Sequence, residues 1–205
     1  FYPFILMDQL QGNGLTDPYT GAADQAALPW RGRITLSMAP GTIGTPDQTA
    51  AAEAEVAAFF GTAQVSDFTV SGEDIGFDGP ADWRYRRFIL HCATLCAVAG
   101  GVDSFCIGSE MRGLTQIRGM GGSFPAVDAL RALAADVRAI LGPDTKLTYA
   151  ADWSEYFGYH IDGNVFFHLD PLWADPEIDM IGIDIGARGT TTRMPPGAQS
   201  TILTI

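Results

Sequence analysis

GVDSFCIGSE, residues 101–110, is a short apolar run, Ser104–Gly108, led in by glycine and closed by Ser109 and the carboxylate of Glu110. It is too brief for a helix, and its aromatic and branched residues read as a buried strand. Three other runs have the same character: Tyr2–Met7 (YPFILM), Lys146–Ala151 (KLTYAA) and Asp179–Ile183 (DMIGI). Asp8, Glu110, Asp152 and Asp184 follow these four runs within one or two residues. In a parallel sheet, the residues just past the strand C-termini gather on one rim, where ligands bind. Taken singly, each acid is equally a turn or helix-cap residue.

Between the runs lie segments with a helical apolar period. Asp47–Phe60 starts at a capping aspartate and stops at Gly61. Asp82–Ala99 places Tyr85, Phe88, Ile89, Cys92, Leu95, Cys96 and Ala99 on one stripe and closes with Gly100-Gly101. Phe124–Leu141 has Pro125 in its first turn and Gly142-Pro143 beyond its end. Strands alternating with such helices predict βαβ units, a parallel sheet and the α/β class. The last two crossovers, 110–145 and 152–177, approach the about 31 residues per βα unit of an eightfold barrel. The first is far longer, which predicts an inserted loop over 9–80 with a hairpin near Asp67–Asp78. The expected domain is therefore 1–185, a partial (β/α)8 barrel truncated at both ends. Gly186–Ile205 carries Pro195-Pro196, no acids and no period, and reads as an irregular tail.

Of 205 residues, 47% are hydrophobic and 18% charged, enough for a sizeable core. Twenty-four acidic residues against twelve basic ones give a net charge of −12. That field repels phosphate backbones and anionic lipid, which argues against nucleic acid and leaves an uncharged ligand such as a sugar compatible. No apolar run approaches the roughly 20 residues of a membrane span, so no membrane insertion is expected. The start at Phe1, inside an apolar run, suggests that an upstream part is missing. Cys92, Cys96 and Cys106 are odd in number and apolar in setting, and read as buried free thiols; no metal site is expected. Neither a G-x-S-x-G elbow nor a phosphate-binding glycine loop occurs, and no cofactor is expected.

Glu110 is the candidate catalytic residue, because a carboxylate at a strand end that is partly desolvated gains the raised pKa of a proton donor. The alternative is that it opens the next helix, where the dipole favours it. Asp152-Trp153 offers a sugar a hydroxyl acceptor beside a stacking face, or else a helix cap and rim packing. Trp30-Arg31 either lines the same cleft or pins the long loop. Asp8, Trp30, Arg31, Asp152, Trp153 and Asp184 are thus the candidate substrate-binding residues. His91 reads as a core histidine, and Asp170–Asp179 (DPLWADPEID) as a solvated acidic face without calcium-loop spacing.

WRGRI at 30–34, Tyr85–Phe88 with its helix, GVDSFCIGSE at 101–110, YAADW at 149–153 and IDMIGID at 178–184 resemble the TIM-barrel-like domain of gene transfer agent and phage tail proteins. That domain is similar to β-mannanase-like glycoside hydrolases of the retaining clan. The resemblance implies that the strand ending at Glu110 is the fourth of eight, with Phe1–Met7 the third and the fifth and sixth following. It further implies that Glu110 is the acid/base and that the nucleophile is a glutamate at a seventh strand, outside this chain. Ser109 stands where related hydrolases often have asparagine, and the similarity stops abruptly after Asp184, as a shifted reading frame or chimeric end would produce. The implied setting is the tail tip of a phage-like particle, made in the bacterial cytoplasm and extracellular after release, with other tail proteins as partners. The implied function is host-specific, glycosidase-like action on a cell-envelope or surface polysaccharide; the alternative is a non-catalytic structural or receptor-contact module.

Overall fold

A computed structural model describes residues 1–184 of the chain; the expected tail 186–205 lies outside them. Helix α1 (Ala50–Phe60) is followed by a hairpin of β1 (Phe68–Ser71) and β2 (Asp74–Phe77), and then by α2 (Tyr85–Val98). Strand β3 (Ser104–Ser109), the short α3 (Arg112–Thr115), α4 (Pro125–Leu141) and β4 (Lys146–Asp152) form the middle of the chain. After the one-turn α5 (Trp153–Tyr156) come a second hairpin, β5 (Tyr159–Ile161) and β6 (Asn164–Phe166), then α6 (Asp170–Trp173) and β7 (Met180–Asp184). The class is mixed α/β.

The central sheet has three parallel strands in the order β3-β4-β7. Phe105 and Ile107 of β3 join Leu147, Tyr149 and Ala151 of β4 in the same core as Ile89, Ala93 and Cys96 of α2 and Leu130, Leu133 and Val137 of α4. Cys106, Thr148, Ala150 and Gly182 occupy the alternate positions, so one face is covered by large side chains and the other by small ones. Covering on both faces explains why β3 and β4 read as continuous apolar runs. Register advances from Cys106↔Thr148 to Ser109↔Ala150, three residues on β3 against two on β4. This one-residue bulge lies just before Glu110 and re-aims the end of the strand.

Several expectations are corrected. Tyr2–Met7 is not a strand: Phe1 pairs with the β3 edge, through its ammonium to the Ser104 carbonyl at 2.6 Å and its carbonyl to Cys106 N–H at 2.9 Å, but no ladder continues. Pro3 has no N–H to donate, although the run keeps a period-2 burial with Pro3, Ile5 and Met7 inward. The described residues therefore hold three parallel strands rather than four, and no closed barrel. Asp47 does not cap α1; Thr49 does, accepting from Ala51 N–H. Leu95 and Ala99 fall outside the buried stripe of α2, which takes Leu90 and Ala93 instead. His91 is half-buried against Phe68 and Trp83 rather than in the core. The acidic face at 170–179 is in large part ion-paired: Asp175 meets Arg131 at 2.8 Å, and Glu177 and Asp179 meet Arg138 at 3.0 and 2.6 Å. Arg131 and Arg138 are seven apart on α4, so the returning loop meets both on one helix face.

Candidate functional site

Glu110, Asp152 and Asp184 stand at the C-terminal ends of β3, β4 and β7. Asp152 and Asp184 are direct register partners, and Glu110 N–H donates to the Ala150 carbonyl at 2.9 Å. Glu110 has φ +49°, a left-handed conformation rare outside glycine. It is held there from both sides, by its own N–H and by Met111 N–H, which donates to the Tyr149 hydroxyl at 3.0 Å. Strain of this kind, over-determined by its surroundings, concentrates at functional sites.

The long loop supplies the partners. Trp30 Nε1 donates to Glu110 Oε2 at 3.1 Å, and the Arg31 guanidinium lies 2.5 Å from the same oxygen. Arg31 Nε also donates to the carbonyl and hydroxyl of Ser109 at 3.1 and 3.2 Å. Its other face rests on the Phe4 ring at 4.2 Å. Burial pushes the Glu110 carboxyl above the usual carboxylate value. The Trp30 hydrogen bond and the Arg31 charge oppose that rise, and the charges of Asp184 and Asp152 reinforce it. The arrangement is a partly desolvated carboxyl whose protonated form is favoured by burial, with an indole and a guanidinium beside it that stabilise the carboxylate once the proton leaves.

Asp152 serves as the N-cap of α5, its carboxylate accepting from Ser154 N–H at 2.9 Å. Trp153 follows it half-exposed, its ring against Phe157 and without a hydrogen bond to Glu110. Asp184 accepts from the Tyr2 hydroxyl at 3.3 Å. Asp8 is exposed and makes no hydrogen bond or ion pair with this group. The apolar opening run thus contributes Tyr2 and Phe4, two residues that its strand-like reading does not single out.

Beneath the rim sits a second carboxyl, three residues after Asp152. Glu155 is fully buried and accepts from the Thr115 hydroxyl at 2.5 Å, the Tyr149 hydroxyl at 2.9 Å and Asp152 N–H at 3.1 Å. Burial pushes it up to about 7. The Thr115 hydroxyl also meets Nε2 of buried His168 at 3.3 Å, and burial pushes that imidazole down to about 4. Glu155 therefore ties α3, the end of β4 and, through Tyr149, the backbone after Glu110. The D-x-x-E spacing of a capping box, Asp152 to Glu155, is the signal that marks it.

The family model of the GTA TIM-barrel-like domain matches residues 83–188, more than half of the chain. Among curated proteins and among solved structures nothing matches. The match spans α2 through β7 and includes the three strand ends, while Trp30 and Arg31 come from the segment before it. With the parallel strands, their acidic rim and this match together, the chain belongs to the GTA TIM-barrel-like domain family.

Proposed function

We propose that this chain is a glycoside-hydrolase-like domain of a phage-like tail protein, acting on a cell-envelope or surface polysaccharide with Glu110 as general acid/base. Its strands β3, β4 and β7 then correspond to the fourth, fifth and sixth of an eightfold barrel. The observation that carries the reading is the Glu110 carboxyl itself, raised by burial at a strand end and contacted by Trp30 and Arg31. Protonated Glu110 would give its proton to the glycosidic oxygen as the bond to the anomeric carbon breaks. The resulting carboxylate, paired with Arg31, would then take a proton from the incoming water. A retaining displacement needs a second carboxylate about 5–5.5 Å away. By the family resemblance that group is a glutamate at the end of a seventh strand, outside the described residues. No helix among the described residues is long and apolar enough to cross a membrane.

A second reading, a non-catalytic module for structure or receptor contact, is favoured by one detail: Glu110 Oε2 is already held by both Arg31 and Trp30. Phage-like particles carrying the protein, wild type or Glu110→Gln, are to be assayed for reducing ends released from mannan and peptidoglycan fragments. Release by the wild type that falls at least about a hundredfold in the variant supports the acid/base role. Equal release by both overturns it. No release by either, with particles still adsorbing to cells, supports the second reading.

A further inference from the structure

Beyond the Arg31–Glu110 pair, the inserted loop, α3 and β5 enclose a cavity of about 150 Å³, lined among others by Tyr19, Gly32, Thr35, Arg112, Gln116 and Tyr159. Its walls are closely docked: a Cβ on Gly113 would come 2.6 Å from the Ile34 carbonyl and 2.9 Å from that of Gly32. Three acids near it are already paired, while exposed Asp162, whose charge reaches Tyr159, is not. Glu110 has Arg31, Asp17 has Arg33 at 3.0 Å, and Asp47 has Arg118 at 2.6 Å. Arg112 lines the cavity and has no ion-pair partner among the described residues.

The polar groups facing this charge are unspent. Gln116 is only 8% exposed, its Nε2 is buried without a partner, and no hydrogen bond reaches the other end of its amide. The Thr35 hydroxyl is buried beside that of Tyr19, and the Tyr159 hydroxyl makes no hydrogen bond among the described residues. A buried amide N–H without a partner is destabilising, and a ligand able to bond it removes that cost. A guanidinium with an amide and a phenol is a set of donors suited to a planar anionic acceptor.

We propose that this cavity receives the carboxylate of an acidic sugar in the polysaccharide, held by Arg112, Gln116 and Tyr159. A volume of about 150 Å³ has room for a carboxylate and its attached carbon. Arg112 follows Glu110 by two residues and Gly32 follows Arg31, so two residues of the cavity wall are chain neighbours of the Arg31–Glu110 pair. The uronate-type polymer deepens the proposed glycan function and rests on it; the carboxylate site stands on the cavity alone. The chain's overall charge of −12 disfavours anions at long range, and the site offsets this locally through the unpaired Arg112.

Titration calorimetry on the 205-residue chain tests this with trigalacturonate, mannotriose, free glucuronate and inorganic phosphate as probes. Trigalacturonate is expected to bind more tightly than the other three, to weaken as salt rises, and to lose at least about tenfold in affinity on Arg112→Gln and on Gln116→Glu. Arg112 is exposed, and the melting temperature of Arg112→Gln is expected to match the wild type, so a loss of binding is not a loss of fold. Trigalacturonate affinity unchanged by Arg112→Gln, or equal binding of mannotriose, overturns the proposal. Equal binding of phosphate makes the cavity a general anion site, and equal binding of free glucuronate assigns it to a small free acid; either overturns the glycan assignment. Binding is read without turnover, so failure of hydrolysis by Glu110 and failure of this site are separate results.

Discussion

Arg31 Nη2 lies 2.5 Å from Glu110 Oε2, with both side chains largely buried, at 8% and 12% exposure. This one pair fastens a loop from the start of the chain to the end of β3. Removing one partner of a buried pair strands the other charge, so Arg31→Met should lower stability by about 3 kcal/mol. The Glu110 carboxyl, no longer opposed by the guanidinium, should titrate still higher. Urea denaturation and a side-chain NMR titration measure the two effects. The double variant Arg31→Met, Glu110→Gln should be more stable than the sum of the single losses implies; strict additivity would deny that the two residues act as a pair.

Glu155 and His168 are linked through Thr115 and should have opposite pH signatures. Folding raises Glu155 from 4.5 to about 7, so its stabilisation is complete below 4.5 and disappears as pH rises to 7. Folding lowers His168 from 6.5 to about 4, so its contribution is complete above 6.5 and disappears as pH falls to 4. In the wild type the two nearly cancel between 4.5 and 6.5. Glu155→Gln should therefore gain stability with rising pH across that window, and His168→Asn should lose it, each by roughly 3 kcal/mol. Thermal melts at half-unit pH steps measure the slopes, and equal slopes in both variants would refute the assignment.

Asp47 and Thr49 both precede α1, yet they do different things. Asp47 accepts from the Arg118 backbone N–H at 2.7 Å and pairs with its guanidinium at 2.6 Å, whereas Thr49 bonds the helix end. Asp47→Ala should cost about 3 kcal/mol, as for a buried charge left alone. Thr49→Ala should cost about 1 kcal/mol, as for a lost cap. Chemical denaturation ranks the two; the reverse order would deny that Asp47 is held in a buried pair with Arg118.

Gly182 on β7 has no room for a side chain, since a Cβ there would stand 2.8 Å from the Tyr149 carbonyl and 3.0 Å from Ala150 Cα. Both obstacles are backbone and cannot rotate aside. Gly182→Ala should destabilise by at least about 2 kcal/mol. Gly142→Ala is a useful comparison: its φ is +79° but no atom lies within 4 Å of the added Cβ, so the loss should be near 1 kcal/mol and due to backbone strain alone.

The central elements were legible because their signals are local. Lys146–Ala151 and Ser104–Gly108 are largely apolar since both faces of the sheet are covered, and α4 begins at Pro125 and stops at Leu141, before Gly142, as its terminal residues dictate. The acids placed just past such strands had to share a rim once the strands were parallel neighbours. Tyr2–Met7 misled for a related reason: its alternation of inward and outward residues is real, but alternation records burial and not ladder pairing.

Sequence by itself therefore determined α2, α4 and the three parallel strands with Glu110, Asp152 and Asp184 at their ends, but it misplaced a strand on Tyr2–Met7 and did not mark the β5–β6 hairpin. Only the tertiary structure decided what surrounds them. Trp30 and Arg31 reach Glu110 from 80 and 79 positions away, and Asp47 reaches Arg118 from 71. Periodicity and capping act over a few residues, because they follow from backbone hydrogen bonds and the side-chain repeat of a single element. Pairing across such distances depends on how a long loop folds back over the sheet, and on which buried charges must find partners there.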